Sequence, residues 1–137
     1  MKKILDRIFV DGLSGMAQGL FATLIIGTII QQIGTFAGGD IGELIYLVGK
    51  VAAGLTGAGI GAGVARKLDA GHLVIVSAAV AGMVGAFAGD LRAGTLISDG
   101  SLVLSGPGEP LGAFVAAYIA IELGILISGK TRLDIIL

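Results

Sequence analysis

The sequence contains no cysteine, one histidine and two prolines, and only 14% of its residues are charged. Without cysteine there are no disulfides, thiolate metal sites or cysteine nucleophiles. One histidine makes neither a metal cluster nor a catalytic triad. Two prolines exclude a collagen-like chain, which needs abundant proline in a strict glycine triplet. A net charge of −1 leaves no basic surface for nucleic acid. So little charge also excludes disorder, which needs low hydrophobicity and high net charge. There is no phosphate-cradling P-loop. The residues therefore imply no catalytic group, no metal and no cofactor.

What is present is apolar. Of 137 residues 55% are hydrophobic and 25 are glycine, and the mean hydropathy is +0.98. A soluble domain of this size buries only about two-thirds of its surface. That leaves nowhere to hide so many apolar side chains, so the chain reads as an all-α integral membrane protein in contact with the lipid bilayer. Its start, Met1-Lys-Lys-Ile-Leu-Asp-Arg7, resembles the basic end of a signal peptide. The apolar run behind it is too long and shows no small-residue cleavage site, so it reads as a retained first span.

Four stretches are long enough to cross a bilayer as helices, which takes roughly 20 residues: about 12–34, 41–65, 71–89 and 110–129, so about four transmembrane helices are expected. Together they form one membrane domain. Seven of the nine Lys and Arg residues fall before the first span, between the second and third, or after the fourth. That bias places both termini in the cytoplasm. The external loop 90–109 contains Thr95–Ser98, Asp99-Gly100 and Ser101–Leu104, which read as strand, tight turn, strand. The expectation is a short external β-hairpin, with a re-entrant segment as the alternative. Pro110 suits the first turn of the fourth helix.

Glycine spacing is the main structural signal. Gly15/Gly19, Gly57/Gly61, Gly59/Gly63 and Gly85/Gly89 all have the four-residue spacing of close-packed membrane helices. The stretch Gly54-Leu-Thr-Gly-Ala-Gly-Ile-Gly-Ala-Gly63 holds five glycines, at 54, 57, 59, 61 and 63. Each costs a helix about 1 kcal/mol relative to alanine. The stretch either stays helical and packs tightly, or unwinds as a broken second helix that offers backbone groups to a cavity.

Ionisable residues at bilayer depth are the candidate sites, because charge there faces protein or water. Lys50 lies roughly 13 Å below the external edge of its span and Glu122 roughly 18 Å down the fourth. The two could meet if their helices are neighbours. They form either a structural ion pair, with a snorkelling lysine as a variant of that reading, or a polar centre for a hydrophilic solute. Glu43 shares the Lys50 face, nearer the external edge. Gln18, roughly 9 Å into the first span, can hydrogen-bond another helix or the solute. Gln31 and Gln32 read as interfacial.

Three segments, Phe9–Ile30, Gly49–Gly61 and Gly112 through Glu122 to Ile136, resemble a bacterial membrane family. Its members are sugar-transporter enzyme IIC components of the phosphotransferase system, of the type 2 EIIC group. The resemblance implies a permease domain in the bacterial cytoplasmic (inner) membrane that passes a sugar inward. It also implies separate cytoplasmic phosphoryl-carrier proteins as partners, so the chain would not itself be an enzyme. No sugar-binding residue is carried over from the family. Gln18, Lys50, Glu122 and Glu43 remain candidates on physical grounds alone. The family's usual members are more than twice this length, and Lys130–Ile136 looks like the entrance to a fifth helix. The chain is therefore expected to be a half-length relative or a fragment, and a homodimer if it works alone. Two alternatives stand beside the permease reading: a small channel or carrier not linked to phosphotransfer, and a non-transporting accessory subunit.

Overall fold

The computed structural model describes residues 2–94, 97–98, 100–102 and 108–128, and these are almost wholly helical. Helix α1 runs Lys3–Ala37. It is followed by α2 (Gly39–Gly54), α3 (Thr56–Lys67), α4 (His72–Ala86), the short α5 (Ala88–Ala93) and α6 (Pro110–Ser128). Helices α1 and α6 are long and apolar enough to cross a membrane. Helices α2 and α3 make a third span if taken together, bent by 45° at the break between them. The 15 residues of α4 are apolar but fall short of the roughly 20 that a bilayer core requires. At 35 residues, α1 is about 52 Å long. A bilayer core of about 30 Å accommodates that length only by tilt or projection.

Of the expected external hairpin, Ile97–Ser98 pairs antiparallel with Ser101–Leu102, with Ile97 opposite Leu102. Gly100 between them has φ +76°. Residues 95, 96, 99 and 103–107 of that loop lie outside the described residues.

Glycine explains how the helices meet. Helices α1 and α2–α3 run antiparallel, joined by a turn at Gly38 and Gly39, both with φ +66°. Along this seam backbone lies on backbone. A Cβ built on Gly15 would sit 2.5 Å from the Gly63 carbonyl oxygen, and one on Gly19 would overlap the Gly59 carbonyl. Further out, a Cβ on Gly27 would sit 2.7 Å from the Ala53 nitrogen, and one on Gly34 2.6 Å from the Gly42 carbonyl oxygen. The other face of α3 repeats the arrangement against α4. Gly57 meets Gly82, and Gly61 meets Ala78. Helix α4 in turn approaches α6 through Gly85 and Gly112. The second span is broken within the glycine-rich stretch, as one of the two readings expected, and from Thr56 onward the stretch is a regular helix with two glycine faces. The break is confined to Leu55. Gly89, the expected partner of Gly85 in spacing, has nothing within 4 Å of its would-be Cβ.

These seams produce two parts. The first is a bundle of the Leu13–Leu20 segment of α1 with α3, α4 and α6. Its core holds Ile60, Val64, Val74, Phe114 and Ile121. The second is an arm, made of the Ile26–Ala37 end of α1 packed on α2. The arm buries only Gly27, Gly34, Gly42, Gly49 and Ala53. Its large side chains, among them Ile29, Ile33, Leu44 and Val51, are exposed, as suits contact with lipid.

Local chemistry fixes the joints. Thr56 is buried, and its hydroxyl donates to the Ala53 carbonyl at 2.6 Å, closing the break. Helix α3 ends with Asp69 in the left-handed region at φ +58°. The Ala70 N–H donates to the Ala65 carbonyl and the Asp69 N–H to that of Arg66, the bond pair of a Schellman cap. Helix α6 begins at Pro110, and the Glu109 carboxylate accepts the Leu111 and Gly112 N–H groups. The Glu109 N–H donates to the Ala86 carbonyl at 2.7 Å and so ties α6 to the end of α4.

Gly19→Ala and Gly61→Ala should each lower stability in detergent by about 1–3 kcal/mol or more through overpacking. Gly89→Ala should leave Tm nearly unchanged. Equal effects at all three would show that the glycine seams do not hold the helices. Asp69→Gly should raise stability by about 1 kcal/mol, because glycine adopts the left-handed conformation without a Cβ penalty. A lowered Tm for that variant would count against the cap.

Candidate functional site

Two polar features stand out in the apolar bundle and arm. The first lies at the basic end of the bundle. The Arg7 guanidinium donates to Glu122 Oε1 through Nε (3.1 Å) and Nη2 (2.9 Å), and the Tyr118 hydroxyl donates to Oε2 at 3.2 Å. Tyr118 and Glu122 stand one turn apart on α6, so their side chains share a face. Arg7 reaches them from a π-helical segment, Arg7–Gly12, near the start of α1. The side chains of Arg7 and Glu122 remain 34% and 40% exposed. The pair is therefore a rim contact of modest energy rather than a sealed ion pair.

This settles one sequence expectation. Glu122 has Arg7 and Tyr118 as partners, and Lys50 makes no ion pair with any described residue. Lys50 and Glu122 were neighbours in depth only. Their helices are kept apart because α2 packs on the outer end of α1 while α6 packs on α3 and α4.

The second feature is the elbow where the arm leaves the bundle. An open cleft of about 520 Å³ lies there. Leu24, Thr28 and Gln31 line it from one face of α1, and Leu47, Lys50 and Val51 from α2. The break itself, Gly54–Leu55, forms another wall, and Met83 of α4 contributes from the bundle. The volume is within the usual range for small-molecule sites, as is an apolar lining with few polar groups. Those polar groups are the Lys50 ammonium, the Gln31 amide and the Thr28 hydroxyl. The Thr28 hydroxyl donates to the Leu24 carbonyl at 2.8 Å, which leaves its oxygen free to accept. Gly54 alone of the five glycines in its stretch has nothing within 4 Å of a would-be Cβ, and it faces the cleft.

Both strands of the elbow are irregular at one level. On the α2–α3 side the Leu55 N–H donates to the Ala52 carbonyl, three residues back, at 3.2 Å. On the α1 side Phe21–Ile25 is a π-helical segment. Within it the Thr23 hydroxyl donates to the Gly19 carbonyl at 2.9 Å, competing with the backbone for that acceptor. The π segment packs against both α2 and α3, and a Cβ on Gly59, one turn beyond the break, would sit 2.5 Å from Thr23 Cγ2. Such π segments occur frequently at functional sites.

The other candidates lie apart from the cleft lining. Gln18 is exposed on α1, and Glu43 is exposed near the outer end of α2. Sequence reasoning placed Gln31 at the interface and did not single out Thr28. Their spacing with Leu24, at i, i+4 and i+7, was the available signal for one shared face. Arg7 was counted among the orienting charges, and nothing in its local sequence pointed to a partner on α6.

A double-mutant cycle on Arg7→Gln and Glu122→Gln should give a coupling energy of about 0.2–1 kcal/mol in thermal unfolding. Purely additive losses would mean that the pair contributes nothing to stability.

A family model described as "Phosphotransferase system, EIIC" matches residues 10–137. No curated protein and no solved structure matches the chain.

Proposed function

The chain belongs to the phosphotransferase-system EIIC family, a membrane component of that system, and from this premise we propose that it is a sugar permease. In this reading it carries a small polar solute, a sugar, inward across the bacterial cytoplasmic membrane, with both termini cytoplasmic. The elbow cleft receives the solute. The observation that carries the reading is the cleft itself: Lys50, Gln31 and Thr28 converge on a volume of about 520 Å³ beside a break in the second span. Polar groups at such depth ordinarily serve a solute path, and broken helices commonly frame transporter binding sites.

Movement follows from the elbow. The arm is held along its length by glycine-to-glycine contact, so it can move as one body. Its two connections to the bundle are the π segment Phe21–Ile25 and the break at Leu55. Swinging about those two points would narrow or widen the cleft, in the manner of a hinge whose few residues absorb the backbone change. One side of the cleft is open, and the apolar faces of the arm are exposed. A homodimer would supply the missing wall. With the shared orientation implied by the charge bias, its axis would lie along the membrane normal. Phosphorylation of the arriving sugar would fall to cytoplasmic phosphoryl-carrier partners.

Liposomes containing the purified protein and the carrier proteins should accumulate phosphorylated sugar. Lys50→Ala and Gln31→Ala should reduce uptake at least tenfold without lowering Tm. If no solute crosses, or if both variants change only stability, the permease reading is wrong. Uptake that proceeds equally without any phosphoryl donor would indicate a carrier not linked to phosphotransfer.

A further inference from the structure

Resting on the reading of the elbow as a sugar site, we infer that its solute carries a negative charge: a sugar acid whose carboxylate meets the Lys50 ammonium. Among the described residues that line the cleft, Lys50 is the only charged one and none is a carboxylate. It makes no hydrogen bond or ion pair with any described residue. Glu43 is two helical turns further out, about 10 Å along the axis. Glu122 is held by Arg7 and Tyr118 at the other end of the bundle.

Lys50 is exposed at the cleft wall, so its ammonium is open to an arriving anion. Lys50 lies ten residues in from Asp40, about 15 Å along the helix from its charged outer end. A carboxylate entering the cleft would meet that ammonium directly. The other polar groups fit the rest of such a molecule. The Gln31 amide both donates and accepts, and the Thr28 oxygen accepts from a sugar hydroxyl. No aromatic ring is among the described residues that line the cleft, so they offer no flat stacking surface on which a neutral sugar can rest. Charge is then the main anchor available.

The test compares matched pairs, glucose with glucuronate and galactose with galacturonate, binding to the whole protein in phosphatidylcholine nanodiscs. Uronates should bind at least tenfold more tightly than their neutral partners, with an advantage that shrinks as salt is raised. Lys50→Met should abolish the advantage and Lys50→Arg should keep most of it, both with unchanged Tm. Equal binding of both sugar types, unaffected by Lys50→Met, would overturn the inference and leave the sugar site standing. Failure of every sugar to bind would remove both. A second arm uses nanodiscs containing phosphatidylglycerol. If that lipid is retained by the wild type and lost from Lys50→Met while no uronate binds, the anion is a lipid headgroup and the inference fails.

Discussion

The fold depends on the contact of one backbone with another across glycine. In lipid there is no hydrophobic force to drive helices together, so association rests on close packing and on hydrogen bonds. Along α1 and α2–α3 the contact points are Gly15 with Gly63, Gly19 with Gly59, Gly27 with Gly49 and Ala53, and Gly34 with Gly42. At each of the glycines a Cβ would lie within 3.0 Å of the facing helix's backbone, so no side chain fits there. Each glycine weakens its own helix by about 1 kcal/mol relative to alanine. What is gained is dispersion contact between main chains along the whole seam, available to no larger residue.

Helix α3 is where this constraint is most severe. It offers Gly59 and Gly63 to α1 and Gly57 and Gly61 to α4, so two of its faces are bare backbone. Its larger residues, Ile60 and Val64, fill the space between and form the centre of the bundle core. A helix packed so closely on two sides cannot also follow the line of α2. The bend at Leu55 is where the two demands separate, and the buried Thr56 hydroxyl satisfies the Ala53 carbonyl at that point. The arm beyond it keeps only one glycine seam and exposes its large side chains. The cleft is the space left between an arm that follows one seam and a bundle that follows three.

Charge is distributed accordingly. Where helices of the bundle converge, Arg7 and Glu122 find each other from opposite ends of the sequence and Tyr118 completes the carboxylate's contacts. Where arm and bundle diverge, Lys50 has no partner among the described residues. A paired charge in a convergent region acts as a clasp. A solitary one beside open space, with an amide and a hydroxyl near it, is placed to meet something that arrives. The proposed solute path thus follows from the same packing that leaves the cleft.

The sequence by itself determined the membrane class, the glycine spacing and the place of the chain in its family. Those properties are one-dimensional: composition sets the solvent, and four-residue spacing sets which glycines share a helix face. It also marked Lys50 and Glu122, because charge within an apolar run is visible without a fold. Only the tertiary structure decided their separate fates. Pairing depends on which helices are neighbours, and the distribution of Lys and Arg along a sequence says nothing about the order of helices around a bundle. The glycine-rich stretch marked where the second span could break, but the confinement of that break to Leu55, the two-faced use of Gly57–Gly63 and the shared lining of one cleft by Gln31 and Lys50 were decided by packing. Each arises where one helix meets several others at once, and no local propensity records that.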